Sequence, residues 1–209
     1  MRRFLIAGCL SLLAATGCSS IQEERSFGRE VDDNTASFGI KSAMLRSEGY
    51  DFGGVQVEVT EGIALLVGTV SREVDKQQAE CLAWSSPAVR SVANVLEIGP
   101  DRTVGERSRD TLTAQNVRGR LLADRSVRSV NFNVIAFRNT LYLLGVARSR
   151  GELERATSHA SISEGVDHVV SYVRVSGVPT DLPSRGERRA AACGGESLPA
   201  LEPHAANPI

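Results

Sequence analysis

The chain has 209 residues, enough for one ordinary domain or two small ones. Its formal net charge of −1 argues against a general polyanion-binding protein, so no nucleic-acid partner is expected. Aromatic residues make up only 5% of the sequence, and the core is therefore expected to be mainly aliphatic.

The N-terminus has the pattern of a secretory signal. A short positive region is followed by the apolar segment 4–15, which is too short for a permanent membrane-spanning helix. Small residues then lead to Cys18, and this arrangement resembles a bacterial lipobox, in which the cysteine is acylated and becomes the mature N-terminus. Residues 1–17 are therefore predicted to be a signal peptide and residues 18–30 a polar tether after a lipidated Cys18. Cleavage without acylation, giving a soluble periplasmic protein, is the alternative.

Residues 31–99 have the pattern of an αββαβ unit. Apolar residues at spacings of three and four predict one helix ending near Ser47 and a second after Ser71. Between them, residues 55–60 alternate between apolar and polar, and residues 63–67 are almost continuously apolar. This pattern predicts a β-hairpin whose second strand is the more buried. The valine-rich segment 89–98 predicts a third strand.

The same pattern recurs without a gap 77 residues later in the sequence. Leu66 coincides with Leu143, and Asn139 stands where the first unit has Gly62. Glycine and asparagine both tolerate the left-handed backbone conformation of a tight turn. The residues assigned to structural turns are Gly62, Gly68, Asn139 and Gly145.

The repeat divides the rest of the chain into three parts. Residues 100–108 are predicted to be a linker, 109–176 a second αββαβ domain, and 177–209 a disordered tail that contains several prolines. In each domain the second helix is a crossover that makes the third strand parallel to the second. The predicted fold class is α+β, with two tandem αββαβ domains. Each is a three-stranded mixed sheet with two helices packed on one face, and the two domains are expected to pack together.

Residues 57–70 and 89–98 together resemble a BON domain, and residues 133–147 and 165–175 resemble a more divergent copy. The resemblance implies a periplasmic αββαβ protein associated with phospholipid binding and envelope integrity. A lipobox followed by two such domains resembles the dual-BON outer-membrane lipoproteins of Gram-negative bacteria. Ser19, rather than Asp, after the acylated cysteine favours the outer membrane, with the domains facing the periplasm.

No enzyme, cofactor or metal site is expected. The sequence lacks the common catalytic and nucleotide-binding motifs, and its three histidines have no partners at useful spacing. The BON family has no catalytic motif to carry over. The spacing of the cysteines suggests no disulfide framework, and whether Cys81 and Cys193 are free or paired is left open.

The charges of the two domains differ, because the first is acidic and the second is basic. Arg118 and Arg125 are seven residues apart, which predicts one ridge of a helix, with two further arginines nearby. The predicted binding site for an anionic phospholipid membrane is Arg118, Arg120, Arg125 and Arg128. A simple solvated face is the alternative interpretation of these residues. The alternative function is a protein-interaction module that docks on an outer-membrane protein machine or the cell wall.

Overall fold

The computed structural model describes residues 27–178 and 185–194, with side chains described from residue 32 onward, except those of residues 185 and 187. In chain order the elements are α1 Phe27–Leu45, β1 Val55–Thr60, β2 Ile63–Val70, α2 Glu73–Ala83, β3 Ser91–Asn94, β4 Glu97–Ile98, α3 Val104–Ala123, β5 Phe132–Phe137, β6 Thr140–Ala147, α4 Arg150–Ser161, β7 His168–Val175 and α5 Arg185–Gly194. A short 3-10 turn, Ser129–Asn131, precedes β5.

The first sheet is mixed, as the sequence predicted. β1 is antiparallel to β2, and β3 is parallel to β2. The predicted third strand is interrupted between β3 and β4, and β4 pairs with the far end of β2. The Asn94 side chain accounts for the interruption, because it donates to the carbonyl of Lys76 and accepts from the backbone N–H of Leu96. These bonds compete with the strand ladder at this point.

The second sheet has the same topology with longer pairing. β5 is antiparallel to β6, and β7 is parallel to β6 over all eight of its residues. Helices α1 and α2 pack on one face of the first sheet, while α3 and α4 pack on one face of the second. The predicted tandem αββαβ fold is therefore confirmed.

The two sheets pack against each other through the faces that carry no helices. Alternation along β2 sends Leu66 toward the helices and Leu65 toward the other sheet, and both side chains are fully buried. We call the shared apolar layer the sheet-to-sheet interface. It contains Ile63, Leu65, Val67 and Ala93 of the first domain and Ile135, Phe137, Tyr142, Leu144 and Tyr172 of the second. The molecule thus has four layers in the order helices, sheet, sheet, helices.

The structure corrects the prediction of a disordered tail at 177–209, because residues 185–194 form α5. This helix packs against α2, where Ala192 contacts the first core and Cys193 forms a disulfide with Cys81. Arg188 donates to the Ser91 hydroxyl at 3.0 Å and to the Arg90 carbonyl. These tertiary contacts order a segment that has no periodic apolar pattern of its own.

Helices at two predicted connections also begin earlier than expected. α1 starts at Phe27, inside the predicted tether, and α3 starts at Val104, inside the predicted linker. The early start of α3 has a local cause, because Thr103 and Glu106 form a capping box. The Thr103 hydroxyl accepts from the Glu106 N–H, and the Glu106 carboxylate accepts from the Thr103 N–H. Hydrogen bonding from the Thr103 hydroxyl also lowers the pKa of Glu106.

Candidate functional site

Helix α3 has one side in the core and the opposite side in solvent. Ala114, Val117 and Leu121 are buried against the second sheet. Their spacing of three and four residues places them on one face of the helix, with buried Thr113 beside them, so the opposite side points outward. Arg109, Arg120 and the exposed apolar residues of α3 are therefore presented away from the fold.

We call the solvent side of this helix the outer face of α3, and it combines two kinds of side chain. Leu112 and Leu122 are 60% and 74% exposed. Arg109 and Arg120 lie 11 residues apart, about three helical turns, and so share one side of the helix. All these residues are exposed. The outer face of α3 contains Val104, Arg109, Leu112, Arg120 and Leu122.

The two arginines of this face are available for an external ligand. Among the described residues, neither Arg109 nor Arg120 forms a salt bridge. Exposed leucines beside cationic side chains have the chemistry of a surface that meets both the charged and the apolar parts of a lipid layer. Of the four predicted phospholipid-binding arginines, only Arg120 belongs to this face. Arg109 and the leucines were missed, although a helical projection of residues 104–123 places Arg109 and Leu112 beside Arg120, with Leu122 at the border of the solvent side.

Arg118 has a structural contact. Its guanidinium donates to the carbonyl of Val134 in β5, which ties α3 to the edge of its sheet. Lys41, 77 residues earlier, makes the same type of tie from α1 to the carbonyls of Phe52 and Val55. Burial lowers the pKa of Lys41. The equivalent contacts in the two domains indicate that the basic residue at this position fastens the first helix to the first strand.

Arg118 and Arg125 do not share a helical ridge, which corrects the sequence-based prediction. α3 ends at Ala123, and Asp124 has an extended backbone with φ −88° and ψ 109°. Arg125 and Arg128 therefore lie in the connection to β5. Arg125 is exposed, and the backbone N–H of Arg128 donates to the Glu152 carboxylate at 2.7 Å.

An acidic group lies close to this connection. The Asp124 carboxylate is 2.9 Å from Nε2 of His159 and accepts from the Ser126 N–H at 2.8 Å. The hydrogen bond with His159 is the largest influence that lowers the pKa of Asp124. Arg155 also approaches this carboxylate, at 3.8 Å. The negative charge reduces the positive potential around Arg125, so the basic surface is concentrated on α3 itself.

The predicted turn residues fall into two structural groups. Gly62 and Asn139 occupy the second position of two-residue hairpin turns, with φ of 75° and 63°. Gly68 and Gly145 lie within β2 and β6 rather than in turns, and their φ values are 132° and 130°. A Cβ atom on Gly145 would lie 1.9 Å from the carbonyl oxygen of Asn131. Glycine is needed there because the two backbones approach closely. A Cβ atom on Gly68 would similarly lie 2.1 Å from the carbonyl oxygen of Gly54.

One matched pair of acidic residues holds the two hairpin turns. Asp33 of α1 is buried and accepts from the N–H groups of Glu61 and Gly62 at 2.7 and 3.2 Å. Asp110 of α3 accepts from the N–H of Arg138 at 3.1 Å. The 77-residue shift aligns both the aspartates and the turns, so this signal was present in the sequence.

The remaining predicted features concern membranes, metals and acylation. Within the described residues, no helix is long and apolar enough to cross a membrane. The same residues contain no group of three or more His, Cys, Asp or Glu side chains placed to hold a metal ion. Cys18 lies outside the described residues.

Comparison with known proteins identifies the repeat. The BON domain family matches the chain at residues 32–100 and 109–177. The uncharacterized protein in the gshII 5′ region of Anaplasma centrale is 32% identical over 125 residues, covering 59% of this chain and 83% of that protein. The outer membrane lipoprotein DolP of Haemophilus influenzae is 25% identical over 177 residues, covering 81% and 89%. The osmotically-inducible protein Y of Escherichia coli is 25% identical over 144 residues, covering 68% and 72%.

A solved structure is similar only at a low level. The C-terminal domain of CdsD, a structural protein of the type III secretion system of Chlamydia trachomatis, covers 70% of this chain and 67% of that chain. Its TM-score of 0.29 and identity of 14% are too low to support an argument. The family matches, by contrast, cover most of the chain and coincide with the two αββαβ units. The chain therefore belongs to the BON domain family and carries two BON domains in tandem.

Proposed function

We propose that this protein is a lipid-anchored envelope protein that binds anionic phospholipid through the outer face of α3 in its second BON domain and supports outer-membrane integrity. The observation that carries the proposal is that exposed Leu112 lies on the same side of α3 as Arg109 and Arg120, with exposed Leu122 at the border of the solvent side. Each arginine close to an anionic membrane surface contributes about 1 kcal/mol. Leucine side chains add apolar burial between the headgroups.

The anchored location is supported by two further observations. The apolar segment before Cys18 resembles the signal of a bacterial lipoprotein. The similar protein of Haemophilus influenzae is named an outer membrane lipoprotein. Acylation at Cys18 would hold the chain at the membrane, so α3 requires only a modest affinity for lipid headgroups. Acyl labelling of the wild type and of Cys18→Ala, followed by membrane fractionation, tests this part independently.

The binding test uses the mature chain from Ser19 onward without acylation and vesicles of two compositions. We expect co-sedimentation with phosphatidylglycerol-containing vesicles, weaker binding to purely zwitterionic vesicles, and loss of binding as salt rises. Arg120→Glu should weaken the anionic binding at least ~5-fold, the equivalent of about 1 kcal/mol. Arg46→Glu is the matched control, because Arg46 is exposed on the first domain and the net charge changes equally. Equal binding to both vesicle types, or equal losses for the two variants, would contradict the proposal.

A second candidate function is docking on another envelope protein, and α1 favours it. Phe38 and Leu45 are both 75% exposed and lie seven residues apart, on one side of the helix. They belong to the acidic first domain, which disfavours anionic headgroups and favours a protein surface. A photo-crosslinking residue at position 38 would form a protein adduct in cells. Loss of that adduct in Leu45→Ser, with vesicle binding unchanged, would support this second function.

A further inference from the structure

Ion pairs join the BON domains at the edges of the sheet-to-sheet interface. The Glu61 carboxylate is 3.2 Å from the Arg174 guanidinium. The Glu97 carboxylate forms an ion pair with Arg138. The first pair is the more buried, since the Glu61 side chain is fully buried, whereas both members of the second pair are partly exposed.

The four residues occupy only two structural positions, each used once in either domain. Glu61 and Arg138 are the first residues of the two-residue hairpin turns, with φ of 54° and 45°. Glu97 pairs with Thr69 in the first sheet, and Arg174 pairs with Val146 in the second. Glu61 and Arg138 are related by the 77-residue shift of the repeat, and so are Glu97 and Arg174. In each ion pair, the turn residue of one domain therefore meets the strand residue of the other.

The charges at these positions are not repeated with the fold. The first domain supplies an acid at both positions, and the second domain supplies an arginine at both. If two copies of the first domain met in the same arrangement, Glu61 would face Glu97 twice. Two copies of the second domain would similarly place Arg138 against Arg174. Like charges brought together away from water are strongly unfavourable, most of all at the buried position.

We propose that this polarity is a pairing code, in which each sheet face accepts the complementary domain of the same chain and rejects a second copy of itself. The apolar layer carries no charge and so does not supply this distinction, although its first-domain side is aliphatic and its second-domain side also contains Phe137, Tyr142 and Tyr172. Part of the basic excess of the second domain thus serves domain pairing. The arginines of the outer face of α3 take no part in it.

Exchanging the two turn residues reverses the code without changing net charge. In the double variant Glu61→Arg, Arg138→Glu, both pairs within one chain become like-charged. Pairing between two first domains, or between two second domains, becomes complementary instead. Either residue type is compatible with the turn, because each already occupies this position with positive φ in one of the domains.

The experiment measures molecular mass by light scattering and Tm by calorimetry for the full mature chain. We expect the wild type to be monomeric and the double variant to lose several degrees in Tm and to associate into dimers. Adding Glu97→Arg and Arg174→Glu restores opposite charges in both pairs with inverted polarity. This quadruple variant should return to a monomer with a Tm near that of the wild type.

The comparison of the quadruple variant with the double variant tests the proposal even if the double variant folds poorly. A quadruple variant that is no more stable than the double variant would show that the charges do not act as pairs. A double variant that remains monomeric at the wild-type Tm would also overturn the code. Exchange of two exposed residues outside the interface, Arg46→Glu with Glu48→Arg, is the control and should leave mass and Tm unchanged.

Discussion

The guanidinium of Arg188 lies over the ring of Trp84, with Cζ 5.0 Å from the ring centroid. This cation–π contact places α5 on the first BON domain, next to the disulfide between Cys81 and Cys193. Burial lowers the pKa of Arg188. The contact is specific to this domain, because Ser161 stands at the position in the second domain that corresponds to Trp84. The first domain thus has a covering helix that the repeat alone does not provide.

Removal of the disulfide should loosen α5 and lower stability. The bond closes a loop of 112 residues, and restriction of the unfolded chain by such a loop typically contributes about 2–4 kcal/mol. Trp84 is the only tryptophan in the chain, so tryptophan fluorescence reports directly on whether α5 is packed against it. We expect Cys81→Ser, Cys193→Ser to lower the Tm and shift the emission to the red. A dithiol reductant should produce the same shift in the wild type and none in the double variant. If neither the double substitution nor reduction of the wild type changed the spectrum, this role of α5 would be contradicted.

Gly145→Ala should be strongly destabilising. The new methyl group would lie 1.9 Å from the Asn131 carbonyl oxygen, and the φ of 130° is unfavourable for alanine. The backbone must shift, and a loss of at least ~2 kcal/mol in the free energy of unfolding is expected. Gly39→Ala is the control, because a methyl group there meets nothing within 4 Å and Gly39 lies inside α1. This control should gain about 0.5–1 kcal/mol in denaturant titrations.

Substitution of Arg118 should affect stability, whereas substitution of Arg120 should affect lipid binding. Arg118→Gln removes a hydrogen bond between α3 and β5, which should cost about 1 kcal/mol of stability with little effect on vesicle binding. Arg120→Gln removes an exposed charge, and vesicle binding should weaken while the Tm stays the same. Denaturant titration and co-sedimentation of both variants test the distinction. If Arg118→Gln instead weakened vesicle binding without lowering stability, Arg118 would belong to the lipid-binding surface.

Glu152 should make stability depend on pH in the acidic range. Burial by itself raises the pKa of this carboxyl, but hydrogen bonds from the Arg148 guanidinium and from the N–H groups of Arg128 and Arg148 outweigh it and lower the pKa below 4.5. A carboxyl with a lowered pKa stabilises the fold above its unfolded-state pKa, and this contribution is lost as pH falls through the folded-state value.

Glu152→Gln tests this contribution. The variant should lose about 2–4 kcal/mol near pH 7, since it removes the buried carboxylate charge that pairs with the partly buried Arg148. Its stability should also fall less steeply than that of the wild type as the pH is lowered below about 4.5. Parallel slopes in urea titrations over pH 3–7 would contradict the assignment. Glu154→Gln, at an exposed position of the same helix, should behave like the wild type.

The αββαβ order and the tandem repeat were predictable because their signals are local. Alternation in β1, the apolar run of β2 and the turn at Gly62 each specify backbone geometry within a few residues. The end of α3 was not predictable from spacing, since the seven-residue interval between Arg118 and Arg125 assumes a continuous helix. α5 was missed because its order depends on Trp84 and on a cysteine 112 residues away. Contacts over such distances leave no periodic pattern in the sequence.

The disulfide makes the second BON domain part of a covalent ring. The chain enters that domain from the first domain through residues 99–103 and returns to the first domain at Cys193. A protease that cuts once between the domains therefore opens the ring without releasing either half. The nicked protein should run as a single species on a non-reducing gel and as two fragments after reduction. Under oxidising conditions, the pairing of the two domains thus survives a break in the backbone between them.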